Sequence, residues 1–307
     1  MFKPEKKSIK SLFIGGGTPS SVGFEMYEDF FKIINPYLRD DAEITTEANP
    51  NSASSTWLEG MKNLGVNRIS FGVQSFDDIK LKFLGRNHDK KRAIKAVENA
   101  HKNGFKNISL DLIYGTIKDD KNLLLEDLKI AKSLPINHIS AYSLTIEENT
   151  PFSKTPNVAK DSIELARFFT KQITTQGFAQ YEISNFGTYQ SVHNLGYWAG
   201  EDYMGIGAGA VGFLKDRRFY PLKEVEKYIQ NPMEKETELL SEEALHVEVI
   251  FLGLRSTVGV KLSHFNEREL QKIEILHKAG KITKTDTKIF NTDYFLSDEL
   301  TLFITAT

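Results

Sequence analysis

Ile9-Lys10-Ser11-Leu12-Phe13-Ile14 runs without a break into Gly15-Gly16-Gly17-Thr18-Pro19-Ser20. A short, mostly apolar run of this kind suits a strand buried on both faces of a parallel sheet. The three glycines that follow let a ligand approach the backbone and expose its N–H and C=O groups. Alone, a glycine-rich turn is more often just a turn. This one is neither a dinucleotide fingerprint nor a phosphate loop, since no Gly-Lys-Ser/Thr follows.

The same strand texture returns at 44–48, 68–73, 108–114 and 138–144. Helix-like segments lie between, at 24–38, 55–64, 90–103, 122–134 and 160–176. Gly104 and Gly177 suit the position after a helix, and Pro135 suits a stop. Strand–helix units of about 30 residues call for right-handed crossovers and predict an α/β fold, a (β/α) barrel or part of one.

Past Gly177 the texture changes. A sixth strand is expected at 179–183, then an irregular stretch at 184–212 rich in glycine and aromatics. Residues 221–230 read as a helix. Residues 241–254 read as another, capped by Ser241 with acids in its first turn. One or two helices follow at 262–279, then a hairpin of 281–285 and 288–291. Helices followed by a hairpin predict a small winged-helix-like module with a packing or lid role rather than DNA binding. The expected domains are 1–215 and 216–307.

Composition sets limits. The 307 residues include 40% apolar residues and carry a formal net charge of -2, so no basic field advertises nucleic acid. There is no cysteine, which removes disulfides, thiolate nucleophiles and zinc thiolate sites. The first residues hold no apolar signal segment, and no run is long enough to span a bilayer. Cytoplasm is the expected compartment.

Polar groups stand at the predicted strand ends. Glu47 follows the second strand, Gln74 the third, Arg86 shortly after, Asp111 the fourth and Tyr142 the fifth. Each has a bland reading: a cap for Asp111, a salt bridge for Arg86, a loop tie for Gln74. Together, opposite a glycine loop, they suit a ligand with hydroxyls, an amine and a carboxylate.

GGGTPS at 15–20, TTEANP at 45–50, GVNRISFGVQSF at 65–76, LGRNH at 84–88 and DLIYG at 111–115 occur in this order. In this the chain resembles radical S-adenosylmethionine (SAM) proteins of the oxygen-independent coproporphyrinogen III oxidase group. HISAYSL at 138–144, QYEISNF at 180–186 and HNLGYW at 193–198 resemble the HemW branch, which are haem chaperones. The resemblance spans essentially the whole chain. It implies that Gly16, Gly17 and Thr18 contact the SAM methionine moiety and that Glu47, Gln74, Arg86 and Asp111 complete the site. Arg86 is the best partner for the carboxylate. It implies haem or a porphyrin as ligand, with His193, Tyr197 and Trp198 as candidate haem contacts. It also implies haem-acceptor proteins as partners, membrane proteins among the candidate clients. The Gly205–Ala210 stretch allows close approach of a large ligand, and equally a tight turn.

The chain departs from that family at one point. Members carry a C-x-x-x-C-x-x-C loop after their first barrel strand, which holds a [4Fe–4S] cluster. No such loop is present, so the expected fold lacks the first β–α unit. Met1 is then expected within or just after the family's first helix. Truncation, a natural remnant, and supply of the unit by another polypeptide all account for this. An unpaired apolar edge at 8–14 favours truncation. Three functions follow: a haem-delivering HemW-type protein without its cluster segment, a coproporphyrinogen III oxidase, or a non-catalytic SAM- or porphyrin-binding remnant. No catalytic residue, metal ligand or oligomeric state is assigned.

Overall fold

The structure is a computed structural model that describes residues 5–148, 151–160 and 162–306. The expected position of Met1 lies outside these residues. The chain divides into two compact units, 1–193 and 194–307.

In the first unit the strands are β1 (Ile9–Ile14), β2 (Leu38–Ala48), β3 (Arg68–Gln74), β4 (Asn107–Tyr114), β5 (His138–Ser143) and β6 (Asn185–Gly187). They form one sheet in sequential order, with β1 at an edge. The pairs from β1 to β5 are all parallel, and β6 is antiparallel to β5. The helices are α1 (Glu28–Ile34), α2 (Ser55–Asn63), α3 (Asp78–Phe83), α4 (Lys90–Lys102), α5 (Lys121–Ser133) and α6 (Ile163–Thr175). Ser54, Asp89, Asp120 and Ser162 cap α2, α4, α5 and α6, each accepting a backbone N–H of the first turn. The sheet with its helices is the predicted α/β half-barrel.

Several expectations change in detail. The helix expected at 24–38 is a 3₁₀ turn followed by the shorter α1, because Pro36 stops it, and β2 begins at Leu38. The sixth strand is not 179–183. The chain doubles back there, with Tyr181 N–H donating to Asn185 C=O, so the strand that pairs with β5 is β6, running the other way. The predicted helix at 160–176 starts at Ile163, and residue 161 lies outside the described residues.

The strands are also not apolar on both faces. Their period-2 alternation puts Ile69, Phe71, Val73, Ile108, Leu110, Leu112, Ile139 and Ala141 in the core with helix residues such as Leu58, Met61, Val97 and Phe169. The other face carries Ser11 and Phe13, Glu43 and Glu47, Arg68 and Ser70, Ser109 and Asp111, then His138, Ser140 and Tyr142. The register lays these side by side: Ser11 opposite Glu43, Glu47 opposite Ser70, Asp111 opposite Ser140. The inner face of the half-barrel is therefore polar.

A short helix, α7 (Val192–Trp198), runs across the unit boundary. In the second unit β7 (Gly212–Leu214), β8 (Arg217–Pro221) and β9 (Lys235–Leu239) form an antiparallel sheet, with α8 (Val225–Gln230) before β9. The helix expected at 221–230 is thus only its second half, preceded by a strand that includes Pro221. Then come α9 (Glu242–Gly253), β10 (Val260–Lys261), α10 (Glu267–Lys278), β11 (Ile282–Lys284), β12 (Lys288–Asn291) and α11 (Ser297–Thr305). Ser241 caps α9 as expected, Asn266 and Glu269 form a capping box on α10, and the expected hairpin is β11–β12. Ile250, Leu254, Ile273, Leu276, Ile289, Leu300 and Ile304 form a separate core there. No helix among the described residues is long and apolar enough to cross a membrane.

Candidate functional site

Near the carboxyl ends of β1 to β5 the glycine loop meets charged groups. Gly16 and Gly17 take φ of +81° and +59°, left-handed values that side chains disfavour, and a Cβ on either would meet open space. The loop is tied down by Ser20, whose Oγ bonds Ser52 Oγ at 2.6 Å and accepts Asn49 N–H at 2.9 Å. Thr18 begins the turn that follows, its C=O accepting Ser21 N–H.

Gly16 N–H donates to the Glu47 carboxyl. Burial, and then the nearby Asp111 carboxylate, push Glu47 above the ordinary carboxylate range against that donation. Burial also pushes Asp111 up. Hydrogen bonds from Ser70, at 3.0 Å, and Ser140 pull the other way, as do the Arg68 and Arg86 charges. Burial pulls Arg86 down and Asp111 holds it up. The Arg86 Nε is buried without a hydrogen-bond partner. Thus Gly16, Glu47, Asp111 and Arg86, far apart in sequence, do converge.

Gln74 ends β3 in a left-handed conformation, φ +69°, where the register with β4 shifts. A non-glycine residue held there stores strain. The loop that holds it is fastened by Asp127 of α5, which accepts from Ser75 Oγ at 2.8 Å and Phe76 N–H at 2.6 Å. Behind it Lys80, fully buried, pairs with Asp119 at 2.6 Å and donates to Ile113 C=O. Tyr142 is half-exposed on the inner face, near Asp111 and hydrogen-bonded to Ser140 and Asn185.

A second polar layer lies nearer the amino ends of the strands. Buried His138 bonds Ser109 Oγ through Nδ1 at 2.6 Å and Tyr181 OH through Nε2 at 2.7 Å. Tyr181 OH also accepts Ser191 N–H at 3.1 Å, and Arg68 Nη2 lies 3.4 Å from His138 Nδ1. Burial and the Arg68 charge keep that imidazole neutral, its pKa well below the usual value.

His193 belongs to this layer. Its Nδ1 lies 2.9 Å from Ser11 Oγ, and its ring stacks on Phe13 at 5.1 Å. Burial lowers its pKa, so the ring is neutral at neutral pH. Tyr197 and Trp198 fall in the second unit, where Tyr197 packs edge-on against Tyr203 at 4.6 Å. In that unit a Cβ on Gly205 would come within 2.1 Å of Ala210 C=O, so the turn packs against its own backbone there.

Sequence reasoning passed over Ser11, Phe13, Glu43, Tyr181, Glu182 and Ser191. The signal for Glu43 was its spacing: it shares a face with Glu47, four residues on in the same strand. Glu182 had no such signal, because it sits in the doubled-back segment. It is fully buried, its Oε1 has no hydrogen-bond partner, and burial pushes it up to about 7.

The sequence pattern of the Radical SAM superfamily matches residues 1–130. A Bacillus subtilis (strain 168) protein named heme chaperone HemW is 37% identical over 283 residues, 87% of this chain and 75% of its own length. The heme chaperone HemW of Lactococcus lactis subsp. lactis (strain IL1403) is 34% identical over 279 residues, 86% of this chain and 73% of its own. The solved structure of coproporphyrinogen III oxidase (HemN) from Escherichia coli, a radical SAM enzyme, superposes with a TM-score of 0.79. That match covers 97% of this chain and 78% of the oxidase at 18% identity, a likeness of fold.

Proposed function

The chain belongs to the HemW family, within the radical SAM superfamily, and from that premise we propose that it binds SAM and haem and delivers haem to acceptor proteins. Kinship with heme chaperones carries the haem part. Within the molecule, the neutral His193 held between Ser11 and Phe13 supports it, because a neutral imidazole is a common iron ligand.

The residues present fit SAM. Gly16 and Gly17 bare their backbone to the methionine moiety, with Thr18 beside them. Arg86, with its unpartnered buried Nε, takes the carboxylate. Glu47, Gln74 and Asp111 take the amine and the ribose hydroxyls. SAM carries a sulfonium cation, and that charge stabilises the two carboxylates that burial has made reluctant to ionise. The residues do not fit a thiolate-held cluster, since the 307 residues contain no cysteine, and no step is derived through one.

His193 is the proposed haem contact, and Tyr197 and Trp198 the aromatic ones. Haem-acceptor proteins are the proposed partners and the cytoplasm the proposed compartment. Coproporphyrinogen oxidation has no observation in its favour here, because the likeness to that oxidase is one of fold.

The test is transfer. Haem-loaded protein should pass haem to an apo-haemoprotein faster than it loses haem to a scavenger alone. Equal rates would mean release without delivery.

A further inference from the structure

Glu43 lies at the centre of β2 and is 2% exposed. Each of its oxygens accepts two hydrogen bonds, and among the described residues these donors come from one short segment. Oε1 accepts Ser191 Oγ–H and His193 N–H, each at 3.0 Å. Oε2 accepts Tyr189 OH and Val192 N–H, each at 2.9 Å. The last two N–H groups open α7 and have no partner within the helix. Burying a carboxylate costs several kcal/mol, and a buried acid is kept where its bonds specify one geometry. Here the geometry specified is the backbone at 189–193.

The ring of His193 is held separately. Ser11, opposite Glu43 in the β1–β2 register, bonds Nδ1, and Phe13 supports the ring face. The main chain is therefore clamped by one strand and the imidazole by its neighbour. Iron-binding histidines are oriented in this way, by a second group on the other ring nitrogen.

We propose that Glu43 and Ser11 are positioning residues for His193, together presenting its Nε2 to haem iron. This rests on the reading of His193 as a haem ligand. In the bound tautomer Nδ1–H donates to Ser11 Oγ, and Nε2 carries the lone pair. Glu43 does not touch haem; it acts through the backbone.

The test is an absorbance titration of the full chain with haemin, comparing wild type, His193→Ala, Glu43→Ala, Glu43→Gln and Ser11→Ala. His193→Ala should lose the histidine-type Soret band. Glu43→Ala and Ser11→Ala should each bind haemin about tenfold more weakly, with the band moved towards that of His193→Ala. Glu43→Gln keeps one acceptor oxygen and should fall nearer wild type. Circular dichroism establishes that each is folded; if Glu43→Ala is not, Glu43→Gln and Ser11→Ala carry the test. Folded positioning variants that titrate like wild type, while His193→Ala does not, would overturn this proposal and leave the ligand assignment standing. His193→Ala titrating like wild type would overturn both.

Discussion

The carboxylate of Glu43 accepts the backbone N–H of His193 at 3.0 Å, joining residues 150 positions apart. The bond ties the segment that follows β6 to the second strand of the half-barrel. Glu43→Ala strands several buried donors at once, so it should destabilise the protein by on the order of 3 kcal/mol in urea unfolding. A loss below about 1 kcal/mol would mean that water replaces the carboxylate at little cost.

Lys80 makes another buried charge network. Its Nζ lies 2.6 Å from Asp119 and 3.9 Å from Asp127, and all three side chains are essentially inaccessible. Lys80→Met leaves two buried acids without their cation and should cost about 3–5 kcal/mol. Adding Asp119→Asn should recover part of that. A double variant no more stable than the single would contradict the account.

Glu182 sets a pH dependence. Its folded pKa, pushed by burial to about 7, stands above the 4.5 of an ordinary glutamate. The folded state therefore binds the proton more tightly than the unfolded chain does. Its contribution is fully present below about pH 4.5 and is lost as pH rises through about 7, a fall on the order of 3 kcal/mol. Urea unfolding of wild type and Glu182→Gln between these pH values measures it. The variant should lose this part of the slope; an unchanged slope would assign it elsewhere.

Gln74 is held at φ +69°. Gln74→Gly removes that strain and should leave stability within about 1 kcal/mol of wild type, whereas Gln74→Val should cost about 2 kcal/mol. Both should weaken SAM binding measured by calorimetry. Full SAM affinity in Gln74→Gly would remove this side chain from the site.

The strand–helix alternation was legible because it rests on local pattern: apolar runs, caps such as Ser241, and stops such as Pro135. The convergence of Gly16, Glu47, Asp111 and Arg86 was legible too, since parallel strands deliver their carboxyl ends to one place. Three things were not. The reversal before β6 depends on the bridge between Gln180 and Phe186 and on the antiparallel pairing of β6 with β5, which no periodicity announces. The polar inner face was hidden because Ser and Thr in an apolar run do not mark which face they line. Glu43 fell one position before the strand expected at 44–48, and its partners at 189–193 lie in a segment without regular pattern.

Haemin titration of wild type beside His193→Ala, followed at the Soret band, decides whether this imidazole binds haem iron. The wild type should show a saturable shift that His193→Ala loses. No saturable shift, or the same shift in both proteins, would contradict it.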